Sequence, residues 1–179
     1  MTARVAAQAD PCAATHPDVI VVASHLPGET PFTSNRWAVR PVECVGDFDY
    51  SRGLAAAWNT SATVVNVEHD LQVSDDLIGA LVDCPQPLCA WAYRLYAASG
   101  SHGTEVGPIF PFCATEPGPW VDEGTEWAAW AAPGFIKARP EARTGPFPEK
   151  HWLTVEHATN YFTSGLWHLH WPPVEHYHQ

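Results

Sequence analysis

Apolar residues in this chain fall into short unbroken runs separated by stretches of mixed character. Asp18-Val19-Ile20-Val21-Val22-Ala23-Ser24 is a β-branched run that ends in small and polar residues, the pattern of a strand buried on both faces. Ala62-Thr63-Val64-Val65-Asn66-Val67 repeats it. Between them, Asp49 to Asn59 carries Leu54, three consecutive alanines and Trp58, with Asp49 or Ser51 placed to cap a helix. Ser74 to Asp83 predicts a second capped helix, with Asp75 and Asp76 in the first turn, where the helix dipole favours acids. Leu88 to Tyr96 predicts a further strand. Trp37 to Val45 alternates less cleanly and contains Pro41, which predicts an edge or irregular strand. Strands alternating with helices from Asp18 to Tyr96 predict an α/β domain with a mostly parallel central sheet flanked by helices.

Beyond Gly100 the pattern changes. Pro108, Pro111, Pro117, Pro119, Pro133, Pro140, Pro146 and Pro148 predict long irregular connections, and Trp127 to Ile136 is apolar without a clear period. His151 to Phe162 has helical spacing, Leu166 to Trp171 alternates apolar residues with histidine as a last strand does, and the tail is rich in histidine. No linker divides the 179 residues, so the expectation is a flexible segment over residues 1–17 and a single domain over 18–179.

Composition narrows the chemistry. A formal charge of -11 with nine Lys and Arg argues against a broad nucleic-acid surface, because no basic stripe is present to displace counterions. Neither an apolar leader core nor a run approaching about 18 apolar residues is visible, so the expected setting is the cytoplasm, without a membrane span. Five cysteines, an odd number without C-x-x-C spacing, point to reduced thiols rather than a disulfide frame or a zinc knuckle.

The second buried run delivers Glu68-His69-Asp70 to its carboxyl end, where open α/β sheets bind ligands. Two carboxylates one residue apart suit a hard divalent cation, and such a cation would neutralise a diphosphate that this acidic chain has little charge to hold. The plainer reading is two polar residues where a strand leaves the core. His168 and His170 share one face of the last strand, and with His176 they bracket Pro172-Pro173, read here as a rigid turn. Neutral imidazole is a common transition-metal ligand, so His170 or His176 is a candidate to complete a site begun by Asp70. Glu156, in the late helical pattern, is a candidate general base, although a helical glutamate is more often solvated surface; Asp122, Glu123 and Glu126 are weaker candidates. No G-x-S-x-G, Walker A, H-E-x-x-H or G-x-G-x-x-G motif appears.

Tyr50-Ser51-Arg52-Gly53-Leu54-Ala55-Ala56-Ala57-Trp58, followed by Val64-Val65-Asn66-Val67-Glu68-His69-Asp70, resembles the family-2-like glycosyltransferases of GT-A fold, in a small form of phage or bacterial type. Those enzymes carry an N-x-G-L-x-x-A helix and then a strand ending in D-x-D; here Ser51 replaces the Asn and Glu68 the first Asp. The resemblance implies a GT-A-like domain that moves a sugar from a nucleoside-diphosphate sugar to an unknown acceptor. Asp70 would bind Mn²⁺ or Mg²⁺, Glu68 would lie toward the ribose or the metal, Ser24 and Arg52 would lie on the nucleotide side, Glu156 would activate the acceptor, and His170 or His176 would be a late ligand. Only about 45 residues separate the first strand from the acidic motif, shorter than the nucleotide-binding half usual in such enzymes.

Two other readings stand beside this one. Asp70 with His168 and His170 suits a metal-dependent hydrolase or oxygenase. Nine tryptophans, Trp120, Trp127 and Trp130 foremost, suit a non-catalytic carbohydrate-binding module with an aromatic platform.

Overall fold

The computed structural model describes residues 16–46, 48–95, 110–111, 113–114, 124–131, 133–149 and 159–174. Strand β1 (Val19–His25), strand β2 (Ala38–Glu43), helix α1 (Asp49–Trp58), strand β3 (Thr63–Val67), helix α2 (Asp75–Asp83) and strand β4 (Leu88–Leu95) follow the alternation that the apolar runs predict. Short strands come next: β5 (Phe110–Pro111), β6 (Cys113–Ala114), β7 (Trp127–Ala128) and β8 (Trp130–Ala131). Strand β9 (Phe135–Ala138), a 3-10 turn at Pro140–Ala142 and strand β10 (Trp167–Val174) complete the described elements.

The sheet is mixed, and this corrects the expected fold class. Its path runs β2-β1-β3-β9-β4-β10-β7, with β5 pairing with β4 off the path and β6 pairing with β8 in a separate ribbon. The β1–β2, β1–β3 and β4–β10 ladders are parallel, whereas β3–β9, β4–β9, β4–β5 and β7–β10 are antiparallel. Among the described residues, strands predominate, with helical structure limited to α1, α2, a 3-10 turn and residues 159–161, so this is not a mostly parallel, helix-flanked GT-A-like sheet. The cause is β9. Its four residues are all buried, and it enters antiparallel between β3 and β4 from the proline-rich region read as loop. A strand buried on both faces has a continuous apolar signature whichever way its neighbours run, so pattern alone does not give its direction. The Pro172-Pro173 pair also differs from expectation: it lies inside β10, where the register with β4 shifts between His170 and Val174.

Alternation along each strand divides the core between two faces. Val22, Val64, Ile136, Trp167 and Leu169 pack with Leu54, Ala57 and Trp58 of α1. Val19, Val21, Val65, Val67, Phe135, Cys89 and Trp91 pack with Ile78 and Leu81 of α2. Helix α1 lies close against β2: a Cβ added to Gly53 would stand 2.4 Å from Val42 Cγ2. Its first turn departs from the expected cap, since Phe48 is the N-cap and the Asp49 carboxylate instead reaches back to accept from Val45 N at 3.0 Å and Gly46 N at 2.7 Å. Ser74 caps α2 as expected, accepting from Leu77 N. After α1, the Arg143 guanidinium donates to the carbonyls of Trp58, Thr60 and Ala62 and pins the turn that feeds β3.

Candidate functional site

The carboxyl ends of β1 and β3 lie side by side, because these strands pair in parallel from Val19↔Thr63 to Ala23↔Val67. The chain turns away from each end and leaves a cleft of about 330 Å³. Ser24 and His25 close one side, Glu68 and His69 the other; Glu29, Thr30, Pro31 and Phe32 after β1 and Leu71 and Val73 after β3 form the walls. Two of the expected ligand-binding residues, Ser24 and Glu68, thus meet in one cleft although 44 positions apart in the sequence.

A short polar relay holds Glu68. Tyr50 Oη donates to Glu68 Oε1 at 3.1 Å, and Asn66 Nδ2 donates both to Tyr50 Oη and to the Pro133 carbonyl. Asn66 is fully buried on β3, and Glu68 N donates to Gly134 O at 2.8 Å, so backbone and side chain are both fixed where the strand ends. No lysine or arginine lines the cleft among the described residues. An anionic group entering beside Glu29 and Glu68 therefore needs a cation to accompany it.

The remaining expected site residues lie elsewhere or outside the described residues. Asp70 sits in the turn between the cleft residues His69 and Leu71 and buries its Oδ1. Arg52 lies on the exposed side of α1, bonded to Asp49. Glu156 and His176, with Asp122, Glu123 and Trp120, lie outside the described residues. His170 is not gathered with Asp70 or Glu68: the one group of three or more metal-competent side chains among the described residues joins it to Cys84, Cys89 and His168. Trp127 and Trp130, proposed for a sugar platform, are half-buried against His168 and Tyr161.

That second group follows from strand register. Val65, Lys137, Cys89, His168 and Trp127 pair in sequence across β3, β9, β4, β10 and β7, forming one row. His170 lies two residues beyond His168 on the same face, and Cys84 caps the end of α2 above it. One donor atom from each of the four side chains lies within 4.8 Å of the others, and Cys84 Sγ is 3.5 Å from His168 Nδ1. No protein-family model, curated protein or solved structure matches this chain. The chemistry of both sites therefore has to be read from their own atoms.

Burial dominates the electrostatics of the Cys/His group. It drives the His170 imidazolium pKa down to about 4, helped by His168 and Lys137, and pushes the Cys89 thiol up to about 12, helped by Cys84 and opposed by Lys137. Lys137 is fully buried, donates from Nζ to the Cys84 carbonyl at 2.8 Å, and has its own pKa lowered by desolvation. Among the described residues, Cys84 and Cys89 form no disulfide. Sequence reasoning missed their grouping because it sought C-x-x-C. The available signal was Cys84-x₄-Cys89 followed far downstream by His168-x-His170.

Proposed function

We propose that this chain is a glycosyltransferase that takes a nucleoside-diphosphate sugar in the cleft between the ends of β1 and β3. The observation that carries the reading is the convergence of Ser24 and Glu68, both given ligand-binding roles by the resemblance, on that one cleft. The local β2–α1–β3 unit that bears the resembling residues keeps parallel strands through its pairing with β1, while the sheet as a whole is mixed. The proposal therefore rests on the site and on the residue pattern, not on a fold family.

Glu29 and Glu68 line the cleft beside His25 and His69, and carboxylate oxygens suit a hard divalent ion such as Mn²⁺ or Mg²⁺ held by Asp70 and Glu68. When bound, that ion supplies the positive charge that the cleft lacks toward a diphosphate. The chain's own residues orient the donor: Glu68 is fixed by Tyr50, Ser24 supplies a hydroxyl at the facing strand end, and Phe32, Leu71 and Val73 give an apolar wall for a ring. In the transfer, the bond from the anomeric carbon to the diphosphate oxygen breaks, a bond to the acceptor oxygen forms, and the acceptor proton passes to a base, the role the resemblance gives to Glu156.

Calorimetric titration with UDP and with GDP, each with Mn²⁺ and then with EDTA, tests the reading. The expected result is metal-dependent binding of one nucleotide, lost in Asp70→Ala while the circular dichroism spectrum is unchanged. Absence of binding to both nucleotides, or binding indifferent to Asp70→Ala, refutes it.

A further inference from the structure

We propose that Cys84, Cys89, His168 and His170 form a second metal site, separate from the cleft, that takes one zinc ion in a closed tetrahedral set of two thiolates and two imidazoles.

The donor set selects the ion. Two sulfurs and two imidazole nitrogens suit a borderline, d¹⁰ cation without geometric demands, whereas Mg²⁺, Ca²⁺ and Mn²⁺ prefer oxygen. In a zinc site, sulfur and nitrogen ligands stand about 2.0–2.3 Å from the metal, so donor atoms within 4.8 Å of one another need only a modest inward adjustment. The ligands come from the end of α2, from β4 and from β10, and the β4–β10 register places Cys89 directly beside His168. With all four positions filled by protein, no coordination site remains for a substrate. The ion would be structural, tying the end of α2 to the two strands beneath it.

Three further observations point to a ligand here. Nε2 of His170 is buried and has no hydrogen-bond partner, a costly state for a polar atom that coordination would relieve. His168 presents Nδ1 toward Cys84 while its Nε2 lies 3.9 Å from Glu126 Oε1. At that distance the pair is not hydrogen-bonded; drawn closer, it would give the far-nitrogen carboxylate contact usual around protein zinc. Finally, Lys137 has no carboxylate ion pair among the described residues, and its charge faces the two cysteines. Thiolates formed on metal binding would give that buried ammonium its counter-charge. In the binding step the zinc ion displaces the two thiol protons, which leave to solvent, and both imidazoles bind as the neutral form.

The test uses the full chain stripped with a chelator and titrated with Co²⁺ as a coloured substitute, then with Zn²⁺. The expected result is one Co²⁺ per chain with a sulfur-to-metal charge-transfer band and intense tetrahedral visible bands, both erased by one equivalent of Zn²⁺. His170→Gln should lower affinity by more than the about 10–100-fold that loss of an outer partner costs, with Glu126→Gln falling within that range. Because Cys89→Ser, at a buried position, risks the fold, thiol modification of the unaltered chain gives a second readout: two cysteines should be protected by Zn²⁺ and exposed by EDTA. Asp70→Ala should leave these signals intact, and His170→Gln should leave nucleotide binding intact, so the two sites fail separately. Absence of the sulfur-to-metal charge-transfer band, or thiol reactivity indifferent to Zn²⁺, would overturn the proposal.

Discussion

Tyr50→Phe removes one oxygen from the relay behind Glu68 and nothing else, which makes its consequence calculable. The hydroxyl donates to Glu68 Oε1 and accepts from Asn66 Nδ2. A hydrogen bond to a charged group contributes about 1.5–3 kcal/mol and a neutral one about 0.5–1.5. Tyr50 and Glu68 are only half-buried, so solvent screening places the charged bond at or below the low end. Asn66 keeps its bond to Pro133 O, so one amide hydrogen is stranded rather than the whole group. The expected loss is about 1–3 kcal/mol, which lowers the melting temperature of a chain this size by about 2–12 °C. Urea unfolding should show a lower midpoint with an unchanged slope. A double-mutant cycle with Glu68→Gln should give a coupling of at least about 0.5 kcal/mol, as expected for residues in direct contact. If Tyr50→Phe changes stability by less than about 0.5 kcal/mol and the cycle closes to zero, the relay does not hold Glu68, and its part in orienting the proposed donor falls with it.

Other consequences are equally specific. Gly53→Ala, which in an ordinary helix interior would stabilise by about 1 kcal/mol, should here destabilise by about 1–3, because the new methyl meets the Val42 side chain; a raised urea midpoint would show that α1 can move away. Arg143→Met should cost about 2–4 kcal/mol in urea unfolding, since it strips three carbonyls of a charged donor, and an unchanged midpoint would mean that water serves them as well. The Asp49 carboxyl is held below the usual aspartate range, first by the Arg52 hydrogen bond and then by the Gly46 and Val45 amides. Its contribution is therefore present above that range and lost as pH falls through the lowered value, so the stability gap between wild type and Asp49→Asn should narrow from about pH 6 to about pH 3 in parallel urea titrations. A gap that stays constant across that interval would show that the carboxylate charge contributes nothing there. Buffer-dependent calorimetry of Zn²⁺ binding at neutral pH should report release of at least the Cys89 proton, because burial keeps that thiol protonated in the metal-free chain.

The first half of the fold was legible because its signals are local. A β-branched run buries itself as a strand, Ser74 caps the helix that follows it, and Gly53 permits α1 to lie on β2; each statement concerns residues within a few positions of one another. Those local signals also placed Ser24 and Glu68 at strand ends, and the parallel β1–β3 ladder then brought them into one cleft. Strand direction was not legible. Phe135-Ile136-Lys137-Ala138 is apolar enough to be buried on both faces, but only the route of the chain through the proline-rich region decides that it runs against β3 and β4.

The same insertion explains why the Cys/His group escaped a reading based on spacing. A short metal motif such as C-x-x-C presents its ligands on one turn, so the distance in sequence is the distance in space. Here Cys84 and Cys89 are separated by the connection from α2 to β4, and His168 reaches Cys89, 79 positions away in sequence, only because β10 pairs with β4. Buried Lys137 points the same way: read in sequence, it interrupts an apolar strand, and a charge at the centre of such a strand is costly unless something compensates it. In the structure the Lys137 ammonium donates to the Cys84 carbonyl, and the row of paired residues places Lys137 beside Cys89, and Cys89 beside His168. A buried charge that looks like an error in a strand pattern is thus a pointer to its neighbours across the sheet, and here those neighbours are the thiol and imidazole donors of the proposed zinc site.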